Sequence, residues 1–206
     1  MVDYNQIYKK HREVWGKKAN KLLQNIWKKA EAGSLFLDLG CGQGRDSLFM
    51  AKKDFRVTAV DKSKEGIRNL KSMAEENNLD IYTVCQDIKN FRIKEDKYNI
   101  INIINSLHFL KKRDALNLIK KVKKGLKKNG YVIISDFTTQ DPLFRKEKNK
   151  TKGFFKPKEL LNLFSDFKIF LYKESSVRDA GHPGFEQPHR HRIVELIAQK
   201  VYPKQI

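Results

Sequence analysis

The chain has only two cysteines, Cys41 and Cys85, too few for a disulfide framework or a zinc knuckle. It also lacks a long apolar run. Asn, Ser or Lys breaks every stretch within about a dozen residues, well short of the ~20 a membrane span needs. The opening Met1-Val-Asp-Tyr-Asn5 has no basic stretch leading into an apolar one, so no signal peptide is expected. Acids are scarce beside cations, with 24 Asp plus Glu against 43 Lys plus Arg and a formal charge of +19. No internal repeat and no domain linker divides the 206 residues, and 40% are hydrophobic, enough for a real core. The expectation is a basic globular protein, cytoplasmic, without membrane contact, and a single domain over residues 1–206.

The charge has two readings. A balance of +19 suits nucleic acid or an anionic ligand. However, 33 of the 43 cations are Lys, and Asn and Ile are plentiful, which is what an A/T-rich genome encodes. RNA contacts rely more on Arg forks and stacked aromatics. The densest run, Lys120 to Lys128, carries Ile119, Val122 and Leu126 at near-helical spacing. It reads as the solvated face and frayed end of an amphipathic helix.

Strand and helix patterns alternate. The first thirty residues read as helical, with Trp15, Leu22, Leu23, Ile26 and Trp27 at three- and four-residue steps. Strands are expected at 34–39, 55–60, 81–85, 98–104 and 131–135, and helices at 45–53, 64–78 and 114–124. In the helix at 45–53, Leu48, Phe49 and Ala51 should face inward. Such alternation indicates βαβ units and a parallel sheet with helices on both faces. Residues 138–158 are polar and basic and read as a loop or lid. A short helix at 158–164 and two strands at 167–173 and 192–198 then suggest an antiparallel ending.

The strongest chemical signal is Asp38-Leu-Gly40-Cys-Gly42-Gln-Gly44, set after a strand and before a helix. Glycines there allow a tight turn and let backbone N–H groups approach a ligand. A dinucleotide fingerprint would place its third glycine where Arg45 stands, so the spacing argues against NAD. Asp61, at the end of the second strand, can accept both hydroxyls of a ribose, and Asp87, after the third, can accept from an adenine amino group. Each acid could instead be a helix cap or turn residue, since caps favour Asp. Three acids at successive strand ends point to one crevice.

These motifs, with Val60-Asp61 and Gln86-Asp87, resemble those of class I S-adenosylmethionine-dependent methyltransferases over residues 34–137. The resemblance implies a Rossmann-like fold with a mostly parallel seven-stranded sheet and an antiparallel C-terminal strand. It implies S-adenosylmethionine as cofactor and S-adenosylhomocysteine as product. Asp38 and Gly40, Gly42 and Gly44 would hold the methionine end, Asp61 the ribose and Asp87 the adenine. The cofactor set extends to Cys41, Arg45, Lys62, Gln86, Ile88 and Asn105. Residues 1–30 would form an N-terminal helical lid, 34–137 the cofactor-binding core, and 138–206 the substrate-side loop and strand pair.

Substrate-side residues should follow the fourth strand and come from the two ends of the chain. Asn105-Ser-Leu-His108-Phe-Leu110 lacks the proline motif common in nucleic-acid amino-methylating enzymes. His108 can orient or deprotonate a substrate, or be a half-buried structural His. His182, His189 and His191 lie within ten residues of one another. If extended, His189 and His191 share one face at about 6.5–7 Å, and Arg190 and Arg192 take the other. These four histidines are the catalytic candidates. Tyr4, Tyr8, Trp15, Arg190 and Arg192 are the substrate candidates, and no metal set is assigned. Trp15, Tyr4 and Tyr8 would close over the cofactor, or anchor a core.

Tyr4, Tyr8, Glu13-Val-Trp15-Gly16, Gly44-Arg-Asp-Ser-Leu48, Leu107-His-Phe-Leu110 and Pro188-His-Arg-His-Arg-Ile193 together resemble the tellurite-resistance type of methyltransferase. That resemblance implies methylation of tellurium or selenium oxyanions, or of small thiols and other soft nucleophiles, by a monomer or homodimer. The partner expected is a small anionic substrate. RNA methylation, or methylation of another small metabolite, is the alternative. A soft nucleophile brings its own lone pair, in keeping with the absence of an obvious base.

Overall fold

The computed structural model describes residues 3–146 and 152–201. The seven strands are β1 (Leu35–Leu39), β2 (Arg56–Asp61), β3 (Ile81–Cys85), β4 (Tyr98–Ile104), β5 (Leu126–Phe137), β6 (Lys168–Asp179) and β7 (His189–Gln199). The helices are α1 (Tyr4–Lys10), α2 (Lys21–Ile26), α3 (Arg45–Ala51), α4 (Lys64–Glu76), α5 (Lys112–Gly125), α6 (Pro142–Lys146) and α7 (Glu159–Leu163). The strand order is β3-β2-β1-β4-β5-β7-β6, and β7 runs antiparallel to β5, as expected of this α/β class. No described helix is long and apolar enough to cross a membrane.

The chain forms two compact units. The first comprises residues 1–91 and 178–189 and the second 92–177 and 190–206. In the first, β1, β2 and β3 pair in parallel. Phe36, Leu37 and Leu39 are all fully buried, without alternation, because both faces of β1 are covered. Helix α4 starts where the Ser63 hydroxyl accepts from Gly66 N at 3.0 Å, and it buries Ile67, Leu70 and Ala74 at helical spacing. Helix α3 begins at Gly44, whose φ of 80° only a glycine adopts cheaply. A Cβ on Gly44 would meet Leu70 Cδ1 at 2.2 Å, so the turn and α4 are packed as one layer.

In the second unit β4 and β5 are parallel and carry fully buried Ile100, Ile101, Ile103, Val132, Ile133 and Ile134. Helix α5 buries Ala115, Leu118, Ile119 and Val122, whereas Lys120, Lys121 and Lys124 are exposed. That run is therefore a solvated helix face.

Several expectations change. The first thirty residues are not one helix. Gly16 sits at φ 67°, and residues 11–20 run irregularly between α1 and α2, so Trp15 is not on a helix. On α3 Ser47 and Met50 are fully buried and Ala51 is buried, while Leu48 and Phe49 are half-buried. Lys127 and Lys128 belong to β5, which starts earlier than expected and shifts register between Tyr98 and Ile100. The loop after Phe137 contains α6, and its residues 147–151 lie outside the described ones.

Leu70→Ala should lower stability by about 2–5 kcal/mol, the usual cost of a cavity at a fully buried leucine. Urea denaturation measures it, and a loss below about 1 kcal/mol would mean that Leu70 does not fill the space over Gly44.

Candidate functional site

In the first unit the turn after β1 is tied to the end of β2. Gly42 N donates to Asp61 Oδ2 at 2.8 Å, and Ser63 N donates to Asp61 Oδ1 at 2.7 Å. Gly40, Gly42 and Gly44 have φ of 79°, 54° and 80°. Their N–H groups are used inside the protein, since Gly40 donates to Val60 O at 2.8 Å and Gly44 to Cys41 O at 2.8 Å. The expected array of ligand-facing N–H groups is therefore not what the glycines supply. They supply close approach.

Helix α1 lies on this turn. The Tyr8 hydroxyl stands 2.8 Å from where a Cβ on Gly42 would be, and Trp15 Nε1 donates to that hydroxyl at 3.0 Å. Gly66 makes room for both, because its Cβ would meet Gly42 O at 2.7 Å and Tyr8 Cδ2 at 3.1 Å. Asn5 Oδ1 accepts from Ser63 Oγ and Glu65 N at 2.9 and 3.1 Å, and Asn69 Nδ2 donates to Tyr8 O at 2.9 Å. Buried Gln43 pins the irregular stretch. Its Nε2 donates to His11 O and Arg12 O at 2.6 and 2.7 Å, and its Oε1 accepts from Val14 N at 2.8 Å. Sequence reasoning missed Asn5, Gln43 and Gly66. Their partners are 24 to 60 residues away, and only the Gly-Gln-Gly spacing hinted at one of them.

The acids gather as expected. Burial pushes the Cys41 thiol well up, with the Asp61 and Asp38 charges adding to it, so Cys41 is a poor nucleophile. Burial also raises Asp61. The N–H groups of Ser63 and Gly42 and the Lys62 charge oppose that rise, and Asp87 adds to it. Asp38 Oδ2 accepts from Ser47 Oγ at 2.6 Å. Asp87 Oδ1 accepts from Lys89 N at 3.1 Å and forms a turn as well as facing Asp61. Arg45 Nε lies 3.2 Å from Asp46 Oδ1. Gln86 is exposed, and Ile88 is buried.

Tyr4, Tyr8, Trp15 and His182 form a ring cluster, with Tyr4 5.9 Å and His182 4.8 Å from Trp15 between centroids. His189 lies 6.0 Å from His182, and its Nδ1 faces Gln187 O at 2.8 Å. Burial pushes the Tyr4 hydroxyl up to about 12, with Asp179 adding to it. Asp179 and His189 bring ligand-type atoms within 4.8 Å of one another, an acid beside the histidines that sequence reasoning did not see.

In the second unit, buried His108 and buried His191 each turn Nδ1 to a fully buried carboxylate. His108 faces Asp136 Oδ1 at 2.6 Å, and His191 faces Asp141 Oδ2 at 3.0 Å. Burial opposes ionisation of Asp141, but His191 and the N–H groups of Leu143 and Arg192 outweigh it and hold its carboxyl below the usual range. A cavity of about 220 Å³ is lined by Arg145, Arg190, Arg192, Ser176, Gln140 and His191. Arg190 Nε donates to Ser176 Oγ at 3.1 Å. Asn105 is exposed at φ 49° and donates its N–H to Ser135 O at 2.7 Å.

A glycine turn after β1 with acids at the ends of β1 and β2 and just after β3 is the arrangement expected from the resemblance to S-adenosylmethionine-dependent methyltransferases. Known proteins place the chain further. The profile of the family described as "Tellurite resistance protein TehB" matches residues 7–182, and the chain belongs to that family. It is 33% identical over 132 residues to a probable S-adenosyl-L-methionine-dependent methyltransferase TehB of Haemophilus influenzae, covering 61% of this chain and 46% of that protein. It is 32% identical over 160 residues to a ribosomal protein L11 methyltransferase of Campylobacter concisus, covering 75% of this chain and 52% of that protein. The chain therefore spans about half the length of these curated relatives. The crystal structure of TehB from Haemophilus influenzae superposes with a TM-score of 0.77 at 23% identity, covering 97% of this chain and 68% of that one.

The residues suit the cofactor, with the carboxylates of Asp61 and Asp87 for its hydroxyl and amino donors. The raised Asp61 makes a pH prediction. The folded protein keeps the Asp61 proton to a higher pH than the unfolded chain does. Stability due to Asp61 therefore falls as pH rises from the ordinary Asp value of about 3.9 to the raised one, and is flat above it. Urea denaturation across that window should show wild type losing stability relative to Asp61→Asn. A gain would contradict the burial argument.

Proposed function

We propose that the chain transfers the methyl group of S-adenosylmethionine to a small oxyanion of tellurium or selenium, or to a related soft nucleophile. One observation carries the choice of acceptor. Three guanidinium groups, Arg145, Arg190 and Arg192, line one cavity with a serine hydroxyl and an imidazole, and among the described residues no carboxylate lines it. Guanidinium groups are forked donors that match planar or pyramidal oxyanions. A cavity of about 220 Å³ has room for a small anion and its shell. His191, fixed by Asp141, gives that cavity an oriented imidazole.

When bound, S-adenosylmethionine supplies an activated methyl group on a sulfonium, so the protein's part is positioning and desolvation. The glycine turn would take the methionine end, Asp61 the ribose hydroxyls and Asp87 the adenine amino group. Tyr8, Trp15 and Tyr4 would cover the turn, and His182 and His189 would extend that cover. The exposed lysines of α5 lie on a solvated face without interleaved aromatics, which favours a small acceptor over RNA.

Labelled methyl transfer from S-adenosylmethionine to tellurite, selenite, small thiols and total RNA tests the reading. Label should enter a small or volatile product; label held in RNA would overturn it. Arg190→Ala with Arg192→Ala should raise KM for the oxyanion about 10–100-fold, the worth of lost charge-assisted hydrogen bonds. Affinity for S-adenosylmethionine should stay unchanged, and an unchanged KM would remove the pocket from the acceptor's path.

A further inference from the structure

Asp136 stands at the carboxyl end of β5, one residue before its last, and His108 lies four residues beyond the end of β4, the strand parallel to β5. Both therefore sit at the end of the sheet where open α/β folds bind ligands. Asp136 is fully buried, and its carboxylate faces four donors. Oδ2 accepts from Ser106 N at 3.1 Å and Leu107 N at 2.6 Å, while Oδ1 accepts from Phe137 N at 2.8 Å and faces His108 Nδ1 at 2.6 Å. With three N–H groups already aimed at it, the carboxylate acts as acceptor, so the proton of that contact sits on His108 Nδ1 and the lone pair on Nε2.

The ring is held from several sides. Phe109, Phe137 and Phe154 surround it with centroids at 4.0, 4.5 and 5.8 Å. The turn that carries it is clamped by Gly153, whose N–H donates to Leu110 O at 2.9 Å and whose Cβ would fall 2.2 Å from Leu107 O. An imidazole held in one tautomer and collared by apolar rings is largely desolvated, which suits a general base.

We propose that His108 takes a proton from the methyl acceptor, with Asp136 as its positioning residue, so that the acceptor arrives as a protonated soft nucleophile, a thiol or a selenol. This rests on the small-nucleophile reading above. The acceptor's X–H bond breaks, its proton goes to His108 Nε2 and its electron pair forms the new X–C bond. The methyl's old bond to sulfur breaks, with its pair left on sulfur, and the imidazolium later returns its proton to water. A soft nucleophile that is already ionised would leave His108 without a task.

The test uses two thiols of different acidity with the full chain: 2-mercaptoethanol, protonated at neutral pH, and thionitrobenzoate, ionised there. His108→Ala should lower kcat for the first about 10²–10⁴-fold, added imidazole should recover at least about tenfold of that, and the second should change by less than about threefold. Equal losses for both thiols without rescue would overturn the proposal. A second readout needs no turnover. Nitrogen NMR of the imidazole should show His108 with Nδ1 protonated and Nε2 bare. Wild type with Nε2 protonated overturns the base assignment. Wild type that methylates no small acceptor, with Nε2 bare, counts against the small-nucleophile reading and leaves the tautomer in support of His108.

Discussion

The hydrogen bond from Gly42 N to the Asp61 carboxylate joins residues 19 apart, and much of the first unit is arranged around it. It holds the turn after β1 against the end of β2, which only positive-φ glycines can follow without strain. That turn, in turn, sets where Tyr8 rests and why α4 has a glycine at position 66. Gln43 extends the same clamp to residues 11–14, so the segment before β1 is ordered by hydrogen bonds from the loop rather than by helical propensity. Burying Asp61 works against its charge, and the two N–H groups that hold it partly offset that cost.

The second unit treats buried charge in a similar way with different ends. Asp136 and Asp141 are fully buried, and each orients an imidazole while accepting backbone N–H groups. Phe137 makes ring contacts with both imidazoles, 4.5 Å from His108 and 4.4 Å from His191 between centroids. A net charge of +19 has its most specific expression in the guanidinium-lined cavity of this unit, whereas the lysines of α5 remain a solvated face.

What could be read from the residues was local in sequence. The strands at 81–85 and 98–104 and the turn at 40–44 announce themselves through contiguous apolar runs and glycine spacing. The family, too, is carried by short motifs such as Gly44-Arg45, which lies inside the matched residues 7–182. What escaped depends on long-range partners. Asp136 is 28 residues from His108, and Asp141 is 50 from His191, so neither pair has a pattern in one dimension. The break between α1 and α2 was hidden because Trp15 falls on a helical period by coincidence, while Gly16 and the pull of Gln43 decide otherwise. Of the histidine cluster, the proximity of His182 and His189 was foreseeable.

The most direct measurement is the affinity of Gly42→Ala for S-adenosylmethionine by titration calorimetry, set beside its thermal unfolding. A Cβ at that position is strained at φ 54° and stands 2.8 Å from the Tyr8 hydroxyl. If the turn tied to Asp61 is the cofactor cradle, wild type binds and the variant loses at least about tenfold in affinity while still unfolding cooperatively. Unchanged affinity in a folded variant would contradict the account.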